Sequence, residues 1–90
     1  MFLLYGVHYP REGAEERLVL AIHPFGVLVK QQSGVVFVDT FKNPQEGTLI
    51  SLAIWESPQA FQASWPELVK HAPSQEWEIK PREVFMMESI

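Results

Sequence analysis

Hydrophobic and polar positions divide the chain into six elements. Four segments have the apolar runs or strict alternation of β-strands: residues 2–9, 35–41, 48–55 and about 82–89. Two stretches between them, from Ala14 to Val29 and from Phe61 to Ala72, repeat apolar residues at helical spacing. The predicted order is strand, helix, strand, strand, helix, strand. Two βαβ halves with right-handed crossovers form a ferredoxin-like α+β fold, with a four-stranded antiparallel sheet and both helices on one face, in one domain covering residues 1–90.

Turn and capping residues mark the element boundaries. The cluster "KNPQEG" predicts an antiparallel hairpin between the second and third strands. Ser57 and Pro58 are typical of an N-cap and a first helical position, so Ser57 is assigned a structural role. Pro24 predicts a kink or two abutting helices near His23. The stretch from Ser64 to Glu67 has the pattern of a second capping box and predicts a new short helical segment there.

Both faces of the predicted sheet are apolar. In the third strand Ser51, Ala53 and Trp55 point one way, while Leu52 and Ile54 point the other. Four strands of this length cover about 450 Å² per face, from standard strand spacing and rise. An apolar patch of that size is normally covered, and a second copy of the same sheet is the simplest cover. The pattern therefore predicts a homodimer joined through sheet faces, and it leaves open which face meets the partner.

Composition narrows the class of protein. The absence of cysteine excludes disulfides, thiol nucleophiles and cysteine-ligated metals, and it is typical of a reducing, cytoplasmic location. A net charge of −4 without any Lys/Arg cluster argues against nucleic-acid binding. The apolar opening "MFLLYGV" is too short to span a bilayer and predicts a strand, so no membrane partner is expected. The charges of "KPRE", which includes Arg82, predict a solvated strand edge.

A third strand ending in Trp-x-Ser before a short helix, within "WESPQAF", resembles the antibiotic biosynthesis monooxygenase-like proteins of the dimeric α+β barrel superfamily. The resemblance covers the whole chain in outline. It implies that a small aromatic ligand lies inside each monomer, between sheet and helices. The family includes cofactor-independent oxygenases and haem-degrading enzymes. The haem-degrading members carry an asparagine on the first strand. The only asparagine here, Asn43, lies in the hairpin turn, so no haem and no other cofactor is expected.

Candidate site residues follow from strand position and from the resemblance. His8 shares its strand face with Leu4 and Gly6, and it is the first candidate for a catalytic base; His71, on the second helical segment, is the second. The candidate walls of the substrate pocket are Tyr5, Gly6, Trp55 and Trp65. No metal site is expected, because no two histidines have a ligand spacing on one helix face and no carboxylate pair accompanies them.

Three functions fit these observations. The first is a cofactor-independent monooxygenase acting on an aromatic or quinol-like compound, with a histidine favouring the deprotonated substrate. The second is a non-catalytic protein that binds or senses a small molecule in the same cavity. The third is a dimer whose internal space is filled by its own side chains. Whether a cavity exists, and which histidine borders it, discriminates among the three.

Overall fold

A computed structural model of the protein describes residues 1–90. Its elements are β1 (Phe2–His8), α1 (Glu15–Lys30), β2 (Val35–Asn43), β3 (Thr48–Trp55), α2 (Pro58–Leu68) and β4 (Glu83–Glu88). Short 3₁₀ turns, Val69–His71 and Gln75–Trp77, join α2 to β4. The predicted element order is confirmed. Neither helix has the combination of length and apolarity that crossing a membrane requires.

The four strands form one antiparallel sheet in the order β2-β3-β1-β4. The first and last strands lie side by side although they are far apart in the chain, because each helix carries the chain across the sheet. This is the predicted ferredoxin-like arrangement. In the central pair, Gly6 lies opposite Ser51 and His8 opposite Leu49. That register fixes which side chains share the face toward the helices.

The main core lies between the sheet and the helices. Trp55 has no exposed surface, and Phe61 stacks on Phe2 with ring centroids 4.4 Å apart. Phe61 also stacks on Trp65 at 5.3 Å, so one aromatic column joins the sheet to α2. The buried members of this core are Phe2, Leu4, Val29, Ala53, Trp55, Phe61 and Leu68. The apolar stripes predicted for both helices therefore contribute to this one layer.

Ser57 begins α2 as predicted. Its backbone is extended, and its side-chain oxygen accepts a hydrogen bond from the Ala60 N–H at 3.1 Å. Pro58 follows at the start of the helix, where a missing N–H leaves no intrahelical bond unmade. The serine of "WESPQAF" is thus a helix cap.

Of the two outcomes predicted at Pro24, a kink or two abutting helices, the division into two helices does not occur. Pro24 lies inside α1, which runs without a break from Glu15 to Lys30. Proline removes the single bond that its N–H would donate to Leu20. Buried residues on both sides of it, Ile22 and Val29, hold the two halves against the sheet. Tertiary packing therefore outweighs the local cost of the proline.

The predicted second capping box is also wrong. α2 continues past Pro66 to Leu68, and the chain then tightens into a 3₁₀ turn. The Ser64 hydroxyl donates back to the carbonyl oxygens of Ala60 and Phe61, each at 3.3 Å, instead of capping a new segment. Mid-helix serine commonly bonds to the preceding turn in this way, so the same sequence pattern can occur inside a helix.

The second face of the sheet carries no helix. Because side chains directly opposite in the register share a face, this surface, called here the open sheet face, is defined by ten apolar residues: Leu3, Tyr5, Val7, Phe37, Phe41, Ile50, Leu52, Ile54, Phe85 and Met87. Phe41 and Met87 are each 46% exposed. Ala53 lies on the other side, in the core. The structure therefore shows which strand face packs against the helices and which face carries none.

Candidate functional site

A cavity of about 170 Å³ lies between the sheet and the helices. Its wall is mostly apolar, and the residues of interest in it are Gly6, His8, Ser51, Trp55, Trp65 and Arg82. The first four come from the helix-facing positions of β1 and β3, and Trp65 comes from α2. The sheet therefore supplies a rigid floor, and a small group of polar side chains is concentrated around His8.

His8 ends β1 at a position that alternation turns toward the helices. Only 4% of its surface is exposed. Its Nε2 atom lies 2.8 Å from the Ser51 hydroxyl oxygen on the neighbouring strand. Gly6 leaves room beside the ring, since a Cβ on that residue would lie 3.5 Å from Nε2. The imidazole is thus held by the sheet, with a hydroxyl group bound to the nitrogen nearest the cavity.

The second ring nitrogen of His8 faces Glu78. Nδ1 lies 3.4 Å from Oε2 of Glu78, whose side chain has no exposed surface. The carboxylate also accepts from the Tyr9 N–H at 3.1 Å and pairs with Arg82 Nη2 at 2.9 Å. Because Glu78 acts only as an acceptor, Nδ1 must be the nitrogen that carries the proton in the neutral ring. Nε2 is then unprotonated and accepts from the Ser51 hydroxyl.

Burial lowers the pKa of His8 below its ordinary value. The charge and hydrogen bond of Glu78 act in the opposite direction, and the charge of Arg82 adds to the lowering. Desolvation is the largest of these causes because the charged imidazolium is poorly solvated at this depth. The ring is therefore neutral near pH 7, which is the form that a general base requires.

Arg82 ties the site to the segment before β4. Its side chain is 14% exposed. Nε donates to the side-chain oxygen of Gln75 at 2.7 Å, and Nη2 donates to the backbone oxygen of Pro73 at 2.7 Å. A buried carboxylate is costly unless it is paired and hydrogen-bonded. Arg82 supplies this pairing for the Glu78 carboxylate behind His8.

The comparisons with known proteins rest on structure alone. No protein-family model and no curated protein matches the chain. Among solved structures, Rv0793 from Mycobacterium tuberculosis superposes with a TM-score of 0.84 at 16% identity, covering 99% of this chain and 94% of its own. An antibiotic biosynthesis monooxygenase gives a TM-score of 0.76 at 12% identity, covering 100% and 99%. SnoaB, a cofactor-independent oxygenase from Streptomyces nogalater, gives 0.80 at 12%, covering 98% and 91%.

The fold is that of the antibiotic biosynthesis monooxygenase-like proteins. At these identities the likeness extends to the architecture alone. It does not extend to particular side chains, and the chemistry of the site depends on this chain's own residues.

Four of the six candidate residues line the cavity. His8 and Gly6 stand on its floor, and Trp55 and Trp65 stand at the end nearest α2. The buried Trp55 indole N–H has no hydrogen-bond partner. Gly6, His8 and Trp55 share the helix-facing side of the sheet, because alternation along β1 and β3 turns all three toward the helices.

Tyr5 and His71 do not reach the cavity. Tyr5 lies on the open sheet face, where its ring stacks on Phe85 with centroids 4.9 Å apart. Alternation separates it from Gly6, so placing both in one pocket was wrong. His71 ends the first 3₁₀ turn, and it is exposed and outside the cavity wall. Of the two candidate bases, only His8 borders the cavity.

Sequence reasoning missed Ser51, Glu78 and Arg82. Ser51 gave a detectable signal, since it is a polar residue on the apolar, helix-facing parity of β3. Glu78 and Arg82 gave no detectable signal in the sequence, because they lie 70 or more residues from His8 and become its neighbours only on folding. The charges of "KPRE" are accordingly not all solvated: Arg82 is turned inward. No group of three His, Asp or Glu side chains is arranged to hold a metal ion.

Proposed function

We propose that the protein is a cofactor-independent monooxygenase that acts on an aromatic or quinol-like small molecule. The observation that carries the proposal is the contact of His8 Nε2 with the Ser51 hydroxyl, 2.8 Å apart, in the wall of a mostly apolar cavity. Apolar walls with one polar end suit a ring system that bears a hydroxyl group. The likeness in fold to a cofactor-independent oxygenase supports the same reaction class.

The reaction begins with removal of a proton from the substrate. A substrate hydroxyl in the cavity meets Ser51, whose own proton is already shared with His8 Nε2. Transfer of the substrate proton to Ser51, and of the Ser51 proton to His8, leaves an electron-rich anion in the cavity. The positive charge then lies on the imidazole, next to Glu78. The anion then reduces O₂ directly. One oxygen atom enters the ring as a carbonyl, and the other leaves as water with two hydrogens, one from the oxidised ring carbon and one from the substrate hydroxyl, returned by His8 and Ser51.

The aromatic residues bind and orient the ring. Trp65 stacks on Phe61 and lies edge-on to Phe25 at 6.3 Å, so its indole is fixed at the cavity wall. Fixed aromatic walls bind a flat substrate without ordering mobile side chains. Trp55 completes this end of the cavity from β3.

The functional unit of this proposal is a homodimer formed through the open sheet face. Ten apolar side chains share that face, and Asp39 and Glu83 are the acidic residues in register with them. Phe37, Phe41 and Phe85 are each at least 39% exposed in the single chain. A contiguous apolar surface of this kind marks an interaction site, and two-fold packing covers it with an identical surface. Light scattering at micromolar concentration is expected to show twice the chain mass.

Oxygen uptake by purified protein tests the proposed reaction. Phenolic and quinol compounds of one to three rings are supplied without haem, flavin or metal, and consumption is followed with an oxygen electrode. His8→Ala should lower the rate by about a hundredfold or more, as loss of a general base commonly does. His71→Ala is the matched control, and it should leave the rate unchanged because the residue is exposed and outside the cavity.

Two results would contradict the proposal. Uptake that depends on added haem, flavin or metal excludes the cofactor-free reaction. Uptake that survives His8→Ala in a protein with native circular dichroism excludes His8 as the base. Tight binding of the same compounds without any oxygen uptake would instead support the non-catalytic binding protein.

A further inference from the structure

We infer that Ser51, His8 and Glu78 also form a nucleophilic triad that hydrolyses esters of small apolar acids. The helix cap Ser57, the serine that the sequence brings to attention, has no base beside it. Ser51 does. The inference goes beyond the proposed oxygenase activity, because it requires neither O₂ nor an ionisable substrate.

The three side chains have the distances and the order that a triad needs. Ser51 Oγ lies 2.8 Å from His8 Nε2, and His8 Nδ1 lies 3.4 Å from a buried carboxylate oxygen of Glu78. A triad is recognised by these roles rather than by chain order: a nucleophile bonded to a base, and a base oriented by a third group. The Tyr9 N–H and Arg82 fix Glu78 in turn. Every member is therefore anchored to the backbone or to the sheet.

Ser51 is the member that a ligand meets. Both residues line the cavity, but Ser51 is half-buried whereas His8 is only 4% exposed. The hydroxyl donates its proton to Nε2 and makes no other hydrogen bond. Its lone pairs are consequently free for attack on a carbonyl carbon in the cavity. Gly6, directly opposite on β1, leaves that approach open.

Thr40 supplies a donor for the developing negative charge. It lies directly opposite Ser51 across the β2–β3 pair and lines the same cavity. Directly opposed residues have Cβ atoms about 4.5–5.5 Å apart, which is within reach of a group bonded to the serine oxygen. The Thr40 hydroxyl makes no hydrogen bond in the structure, so it is free to donate to the carbonyl oxygen.

The reaction balances with water as the only co-reactant. Ser51 Oγ forms a bond to the ester carbonyl carbon while its proton passes to His8 Nε2. The carbon–oxygen bond to the alcohol then breaks, and the alcohol leaves with that proton. Water attacks the acyl-serine with His8 again accepting a proton, which restores Ser51 and releases the acid. The apolar wall around Ser51, with Ala53 and Val84 nearby in the cavity, favours a short aliphatic or benzoyl acyl group.

Two probes test the triad under nitrogen, so that oxygen chemistry cannot contribute. p-Nitrophenyl butyrate reports hydrolysis, and diisopropyl fluorophosphate reports a nucleophilic serine by intact mass and peptide mapping. We expect one phosphoryl adduct per chain, on the peptide that contains Ser51. Ser51→Ala should abolish the adduct and lower hydrolysis at least about a hundredfold. Ser57→Ala is the matched control, because that serine caps a helix outside the cavity, and it should leave both signals intact.

Replacing His8, Thr40 or Glu78 should each change a different kinetic quantity. His8→Ala should slow labelling by about a hundredfold or more, and Thr40→Val should slow turnover about tenfold or more without a change in KM. Glu78→Gln tests the positioning role: kcat should fall, and the acid limb of the pH profile should move to lower pH, because the carboxylate raises the pKa of His8. A purely structural role of Glu78 would leave the pH profile unmoved.

The inference is overturned if no adduct forms, if the adduct maps to another residue, or if labelling is equally fast in His8→Ala. Circular dichroism establishes that each variant is folded. Failure here leaves the oxygen-uptake experiment unaffected, and labelling without any oxygen uptake would support the triad while contradicting the oxygenase. The two proposals therefore fail separately.

Discussion

Replacing Gly6 with alanine separates the stability of the sheet from the reactivity of the site. Gly6 lies in the middle of β1, opposite Ser51 on one side and Val84 on the other. Its φ is not positive, so an L-residue can adopt the same backbone. A Cβ there would lie 3.5 Å from His8 Nε2 and 3.8 Å from the Glu83 backbone oxygen. Both are ordinary van der Waals distances, and nothing in the fold has to move.

The stability of Gly6→Ala is therefore expected to rise. Glycine within a strand costs about 0.5–1 kcal/mol relative to alanine, because it has more backbone freedom to lose on folding. For a domain of this size about 1 kcal/mol corresponds to 4–8 °C, so Tm should rise by about 2–8 °C. The new methyl group, however, stands against the nitrogen that receives the substrate proton. Displacing the substrate by about 1 Å should lower activity ten- to a hundredfold.

Thermal unfolding by circular dichroism, together with oxygen uptake and ester hydrolysis, measures the two effects on the same samples. Gly26→Ala is the matched control, since Gly26 lines the cavity from α1 and its Cβ would meet Val38 instead of His8. It should gain stability with a smaller loss of activity. A Gly6→Ala protein that is less stable than the parent by more than about 1 kcal/mol would refute the packing argument. Equal losses of activity in both variants would show that the reduced volume of the cavity, and not the methyl group placed against His8, lowers the activity.

Three further predictions concern the cap, the open sheet face and the buried imidazole. Ser57→Ala should lower the free energy of unfolding by about 1 kcal/mol in urea titration, with activity unchanged. Leu52→Asp should give a folded monomer by light scattering, whereas Ala53→Asp should unfold the chain, because only Ala53 lies in the core. Since the pKa of His8 is lowered on folding, stability should be complete above about pH 6.5 and fall as the pH drops below it; His8→Ala should flatten this slope between pH 7 and 5.

Features decided by neighbouring residues were predictable from the sequence. The limits of β3 and the Ser57 cap depend on alternation and on one hydrogen bond spanning three residues, so both were predicted correctly. The break predicted at Pro24 does not occur, because burial of the apolar stripe of the helix, which is a tertiary effect, compensates for the lost N–H donor. His8 was found because strand parity places it on the same side as Gly6. Its partners at the far end of the chain leave no local pattern.

The way in which Glu78 reaches His8 shows why the site depends on the last part of the chain. Beyond β1, Arg11 N–H donates to the Trp77 oxygen and Ile79 N–H donates to the Tyr9 oxygen, each at 2.8 Å, so residues 77–79 run alongside the strand as a short extension of the sheet. Alternation within that piece exposes Ile79 and turns Glu78 inward.

Glu78 is paired in this position with Arg82, four residues later, where the chain is about to enter β4. The pairing of β4 with β1 therefore holds the cation in place, the cation holds the carboxylate, and the carboxylate sets the tautomer of His8. Since a buried carboxylate without its cation is strongly destabilising, the orientation of the His8 ring depends on the pairing of the final strand with β1.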